Sequence, residues 1–278
     1  STSASDCHKC QYDECHSPEP VSYINGQKIE FARDFATGGG QPFELDRIYS
    51  SALADTSHGN GNLGNGWSFS FEYELIKSDS SQVILRKPDG SSYQLMLDTG
   101  SGEFRPFGNP AVIKAVAAGA FYDITLDNDL YVRVEASSDG KTPNQYRPTI
   151  VRDRAGYQRT ITRDAAGHIT GLSDNLGRAF TFTWGSGNLT QVGAPGGITI
   201  SYAYDFANAE PYSKRLTGVT ISDGTTSETT TYHYENAQYV YNLTGTTDAR
   251  GVRYKTAVYD AVGRVTESGT VGLDDKTT

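Results

Sequence analysis

Three cysteines cluster near the amino terminus, Cys7, Cys10 and Cys15, with His8 and His16 beside them. The Cys7-x2-Cys10 spacing is that of a metal knuckle. Cys15 and His16 extend it to a candidate four-ligand set, Cys7, Cys10, Cys15 and His16, with the sulfur and nitrogen donors that zinc takes. A haem attachment site would need His directly after the second cysteine, and Gln11 stands there instead. A disulfide framework would spread its cysteines across the fold, whereas the rest of this chain has none. The alternative for the cluster is a polar arm whose thiols are free or cross-linked.

Other residue types that could do chemistry are scattered. The five histidines are His8, His16, His58, His168 and His233, and none falls into a nucleophile, base and orienter set. The stretch His58-Gly59-Asn60-Gly61-Asn62 is glycine-rich but lacks the Lys and Ser/Thr of a phosphate cradle. Asp127-Asn128-Asp129 offers oxygen ligands but not the remainder of a calcium loop, and reads as a hairpin turn. The pairs Tyr202 and Tyr204, Tyr232 and Tyr234, and Tyr239 and Tyr241 each share a strand face. They suit packing between strands, or a stacking platform for sugars. Asn188-Leu189-Thr190 and Asn242-Leu243-Thr244 match the glycosylation sequon. With no converging catalytic set, the chain is expected not to be an enzyme, and no catalytic or cofactor-binding residue is assigned.

Composition points to strands as the elements that position these groups. The 278 residues include 18 Tyr and 11 Phe but one Met, with abundant Thr, Ser and Gly. Aromatic and β-branched residues favour strands, and glycine marks their turns. A hydrophobic fraction of 36% with 21% charged residues is that of a globular chain. The net charge of -9 argues against a nucleic-acid partner. No apolar run approaches the roughly 18 residues of a membrane-spanning helix. The most apolar stretch, Ala111 to Ala120, reads as a core strand or a short helix.

Alternation is strict at Trp67, Phe69, Phe71, Tyr73 and Leu75, which predicts one strand over 67–75 with its aromatics on one face. Val83 and Leu85, a Pro88-Asp89-Gly90 turn, then Tyr93, Leu95 and Leu97 predict a hairpin. Tyr122, Ile124 and Leu126 facing Leu130, Val132 and Val134 predict another. From about residue 150 the texture changes. Asp-x-x-Gly recurs at Asp153–Gly156, Asp164–Gly167, Asp174–Gly177, Asp248–Gly251 and Asp260–Gly263, with short alternating strands between, among them 180–184. Asp accepts backbone N–H bonds at the start of a turn, and Gly three residues on tolerates left-handed φ. Two turns and two strands make a unit of roughly 20 residues that cannot bury its own apolar face and must stack on its neighbours.

Tyr259-Asp260-Ala261-Val262-Gly263-Arg264-Val265-Thr266 resembles the signature of the YD (tyrosine-aspartate) repeat, Tyr-Asp-x-x-Gly-Arg-Leu-Thr. Arg163-Asp164-Ala165-Ala166-Gly167-His168-Ile169-Thr170 is a degenerate copy, with Arg163 at the Tyr position and His168 at the Arg position. Asp174 to Arg178, continuing through Phe180, Phe182 and Trp184, is similar to the second half of the repeat. Upstream, Asn25-Gly26-Gln27-Lys28, Arg47-Ile48-Tyr49-Ser50-Ser51 and Leu63-Gly64-Asn65-Gly66-Trp67 resemble the domain that opens the repeat region of Rhs proteins. The resemblance covers about residues 18 to 278.

The resemblance implies an all-β fold: an antiparallel YD-repeat sheet forming the opening turns of a spiral β-shell, or cocoon. It divides the chain into an N-terminal arm with the Cys/His cluster (1–17), an Rhs-type N-terminal β domain (18–149) and YD repeats (150–278). It implies a bacterial polymorphic-toxin scaffold, secreted or at the cell surface, that encapsulates and helps deliver a C-terminal toxin. The implied partners are further repeats of the same shell, the enclosed toxin and secretion-system components. The chain is then a piece of a longer protein, and Val271 to Asp275 does not match the family's self-cleaving segment. The alternative is a cell-surface adhesin that binds glycans through its tyrosine-rich face.

Overall fold

A computed structural model describes residues 21, 26–54, 60–107, 113–126, 128–137, 144–208 and 213–271. Apart from a 3-10 turn at Pro195–Gly197, the regular structure among them is β-strand, and the pairings within the two units are antiparallel. The first strands among the described residues are β1 (Ile29–Ala36), β2 (Glu44–Ser50), β3 (Asn60–Gly61), β4 (Gly64–Asn65) and β5 (Trp67–Phe69). β1, β2 and β5 form one small sheet, and β3 pairs with β4. The chain folds into two compact units that interleave its segments. One holds 1–32, 47–68 and 199–278, and the other 33–46 and 69–198.

The second unit contains a closed ring. Its strands are β6 (Glu74–Lys77), β7 (Gln82–Arg86), β8 (Ser92–Asp98), β9 (Glu103–Pro106), β10 (Lys114–Ala118), β11 (Phe121–Thr125), β12 (Tyr131–Ala136) and β13 (Gln145–Arg152). Each pairs with the next in turn. The first half of β13 then returns to β6 through Gln145↔Ile76 and Tyr146↔Leu75. An eight-stranded barrel has an interior that side chains can fill. Here Leu75, Val83, Leu85, Leu95, Ala115, Ile124, Val132 and Val134 are fully buried. The Tyr122 ring lies 4.8 Å from Tyr146 and 6.0 Å from Phe104, edge-on to both. The second half of β13 branches away, pairing with β14 (Gln158–Arg163). From there a meander runs on through β15 (Ile169–Asp174), β16 (Ala179–Gly185) and β17 (Asn188–Gly193).

In the first unit a second meander runs through β18 (Thr199–Phe206), β19 (Lys214–Ser222), β20 (Ser227–His233), β21 (Gly245–Thr247), β22 (Arg253–Tyr259) and β23 (Val265–Thr270). Ile200, Leu216 and Val219 face its core.

Both hairpins foreseen from alternation are present. Gly90, at φ +88°, donates to Lys87 O across the Pro88-Asp89-Gly90 turn, and Tyr122↔Val134 and Ile124↔Val132 are in register. Ala111 to Ala120 resolves in favour of a strand, Lys114–Ala118, whose last two alanines are exposed. The single strand expected over 67–75 is corrected to two, Trp67–Phe69 and Glu74–Lys77. Between them the Glu72 amide donates to Phe69 O, and the Glu72 carboxylate takes the Phe69 amide at 2.8 Å. That local turn leaves Phe69 and Phe71 buried and stacked at 5.4 Å. Apolar spacing survives the turn, so it gave no sign of the break. Phe180 and Phe182 are buried as expected, but Trp184 is half-exposed, its indole donating to Ile169 O at 2.7 Å.

Candidate functional site

The five Asp-x-x-Gly segments form one turn, built five times. In each, the Gly amide donates to the Asp carbonyl at 2.9–3.2 Å, and Gly lies at φ +79° to +87°. The Asp Oδ1 accepts the amide of the residue four positions on, at 2.9–3.0 Å. Backbone N–H donors bond more strongly to a carboxylate than to the neutral acid, and so favour the ionised form. For Asp260 the Arg264 amide leads in holding the carboxyl below its usual value. For Asp248 it is the Arg250 guanidinium. For Asp174 burial pushes upward, but the Arg178 amide and guanidinium, the Tyr157 phenol and the Leu176 amide outweigh it.

In two of the copies the residue after the turn glycine is an arginine that packs against another chain segment. Arg178 donates from Nε to Asp174 at 2.7 Å, from Nη1 to Thr37 Oγ1 at 2.8 Å and from Nη2 to Gln41 O at 2.9 Å. Its guanidinium also lies 5.3 Å from the Phe43 ring centre, and Phe43 stacks on Phe180 at 4.3 Å. The turn thus fastens the 37–43 loop against the meander of the same unit. Arg264 repeats the Nε bond to Asp260, and its Cβ packs where Gly26 leaves room: a Cβ on Gly26 would meet it at 2.9 Å. In the degenerate copy His168 stacks on Trp184 at 4.3 Å and binds Asp164 at 3.2 Å.

The first unit carries a polar-aromatic core that spacing did not reveal. Buried Arg47 donates to the Tyr232 hydroxyl at 3.0 Å and lies 4.9 Å from the Trp67 ring centre. Trp67 Nε1 donates to the Tyr234 hydroxyl, which donates to Leu216 O. Tyr259, the tyrosine of the repeat signature, donates to Leu243 O at 2.8 Å. Burial raises the phenol pKa of Tyr49, Tyr234 and Tyr259 far above ordinary values, so all three act as neutral donors and acceptors. Lys28, Glu30 and Ser268 are also buried together. Lys28 Nζ lies 3.2 Å from Ser268 Oγ and 3.4 Å from Glu30, which Lys255 also pairs.

Cys7, Cys10, Cys15, His8, His16 and His58 lie outside the described residues. Among the described residues no group of three or more His, Cys, Asp or Glu side chains is placed to hold a metal. Asp127 lies outside the described residues; Asn128 accepts the Leu130 amide at 3.2 Å within the hairpin turn, and Asp129 pairs with Arg154 of the Asp153–Gly156 turn at 3.4 Å. Tyr202, Tyr232 and Tyr241 are buried, which commits them to packing. Asn242 of the second sequon is buried as well. His233 binds Thr247 Oγ1 at 2.7 Å. Burial, then Arg253, lower its pKa against the opposing pull of Glu235, so it is neutral near pH 7. A groove of about 340 Å3 is lined by Glu235, Thr244, Arg253, Thr256 and Tyr259, with the Arg253–Glu235 pair at its side. No helix among the described residues is long and apolar enough to cross a membrane.

Residues 18–95 match a family described as a domain of unknown function, DUF6531. No curated protein matches the chain. Among solved structures, a chain of the Photorhabdus luminescens Tc holotoxin pore, from a complex carrying a TccC3 substitution, is similar at a TM-score of 0.36 and 8% identity. That similarity covers 87% of this chain and 15% of the other, so this chain spans a small fraction of its length.

Proposed function

We propose that the chain is a scaffold without chemistry of its own, the opening part of a secreted Rhs/YD-repeat shell that encloses and helps deliver a toxin. The observation that carries this reading is the fivefold turn. Each copy closes or joins short strands of a meander that pass their free edges to the next strand, so the architecture extends by repetition. The polar groups support it. Carboxylates are spent on turn amides, and buried phenols are spent on backbone carbonyls rather than converging on a cleft. The bacterial setting, the secretion route and the cargo belong to the same proposal, and so does zinc on the Cys7, Cys10, Cys15 and His16 arm.

The test uses the chain alone and within its natural parent. Alone, it is expected to be inert toward cells and substrates. In the parent, a downstream domain is expected to resist protease, and to become digestible when Asp174→Ala and Asp260→Ala break two turns. Toxicity or turnover by the isolated chain would overturn the scaffold reading.

A further inference from the structure

Seven of the eight joints of the barrel link strands that are neighbours in the chain. The eighth, β13 to β6, links strands far apart in sequence, so no hairpin turn holds it in place and its closure costs more chain entropy. It is also short. It consists of two register pairs and a bond from the Lys77 amide to Asn144 O at 2.8 Å. The β9–β10 joint has two pairs as well, but there the chain itself ties the strands together. Asn144 sits at the lip of the joint with φ +67°, a left-handed conformation that Asn adopts more readily than other residues with a Cβ and that bounds β13 there.

One carboxylate bridges the joint. Glu74 on β6 is buried; it forms an ion pair with Arg147 Nη2 on β13 at 3.0 Å, a nitrogen that also donates to Gln145 Oε1 at 3.2 Å, and pairs with Arg86 on β7. Behind Arg147, Arg163 of β14 is a second guanidinium. Its Nη1 donates to Gly167 O at 3.3 Å, while its Nε and Nη2 are shut off from solvent without a hydrogen-bond partner. The two like charges oppose one another across this corner, and Glu72 partly offsets them.

We propose that this joint is a built-in opening of the barrel. The leading end of β13, Gln145 to Arg147, parts from β6 while the other seven joints stay paired, and Glu74 is the latch. Opening uncovers the backbone donors and acceptors along β6, the groups that accept an added strand. It also admits solvent beside Leu75 and Tyr146. This behaviour is a property of the barrel alone and holds whatever the shell encloses.

Native-state hydrogen exchange on the full chain tests it. The Lys77 amide is expected to exchange at least about tenfold faster than amides of the β11–β12 ladder. Glu74→Gln should speed exchange at the joint by roughly another factor of ten, leaving the β11–β12 ladder unchanged. An Ile76→Cys, Gln145→Cys disulfide, in a background with Cys7, Cys10 and Cys15 changed to Ser, should abolish the difference. Lys77 protection equal to that of the β11–β12 ladder in the native chain would overturn the proposal. So would a Glu74→Gln variant that folds yet exchanges faster everywhere alike. If Glu74→Gln does not fold, the native profile and the disulfide variant decide.

Discussion

The Tyr49 phenol takes the place of a peptide group. Its oxygen accepts the Leu243 amide at 3.0 Å while donating to Tyr241 O at 3.0 Å, so one side chain satisfies two backbone groups about 190 residues along the chain. Leu243 in turn offers its carbonyl to the Tyr259 hydroxyl at 2.8 Å, which ties the repeat's signature tyrosine to the same short segment. Both phenols and Leu243 are buried, so water cannot replace these bonds.

Tyr49→Phe keeps the ring and removes the hydroxyl. It leaves the Leu243 amide and the Tyr241 carbonyl without this partner in a dry site, and should cost about 1–3 kcal/mol. Urea unfolding of the two proteins measures it. A loss under about 0.5 kcal/mol would mean that the segment re-pairs without the phenol.

Phe180→Ala should cost about 3–5 kcal/mol, as for other large truncations in a packed core. Phe180 is 1% exposed, stacks on Phe43 at 4.3 Å and meets Phe35 edge-on at 5.4 Å. The loop 37–43 is held through Phe43 and Arg178, so protease cleavage within it should rise in the same variant. Unchanged cleavage would show that the Arg178 bonds hold the loop unaided.

Arg163→Met should stabilise the chain, by on the order of 1 kcal/mol. The guanidinium pKa is pushed down to about 10 by burial and by Arg147, with Glu72 opposing, and two of its nitrogens are unbonded. An apolar side chain of similar length removes that cost. A drop in melting temperature would show instead that the bond to Gly167 O outweighs desolvation.

Acid should unfold the chain through its turns. The carboxyls of Asp164, Asp174, Asp248 and Asp260 are all held below their ordinary values. A depressed carboxyl contributes stability that is fully present above its unfolded pKa, near 3.9 for Asp, and that is lost as pH falls through the lower folded value. Stability at pH 7 and pH 5 should therefore differ little on their account and fall below about pH 4. Asp174→Asn should flatten that acid limb. An unchanged limb would assign it to other carboxylates.

Much of the local structure was legible because it is local. Asp and Gly three residues apart dictate the turn whatever surrounds them, since the carboxylate reaches only nearby amides and the left-handed φ belongs to one residue. All five predicted turns formed, and so did the hairpins around Gly90 and Asp129. Alternation identified Trp67, Phe69, Phe71, Phe180 and Phe182 as buried, because burial follows side-chain period. It could not reveal the turn at 70–73, where Phe71 stays buried although pairing stops.

What the tertiary structure alone decided are the long-range polar contacts. Nothing in the spacing of Glu74 marks it as the link between Arg86 and Arg147. Nothing near Arg47 announces Tyr232, nor near Tyr49 the backbone of Tyr241 and Leu243. The sequence determined the five turns, the two hairpins and most of the apolar side chains that leave water, but not the break within 67–75 or the burial of Arg47 and Glu74. The closure of β13 onto β6 depends on which distant strand edges meet, and hydrophobic burial is non-directional and does not choose among them. That choice falls to hydrogen bonds and ion pairs whose partners come together only once the chain has folded.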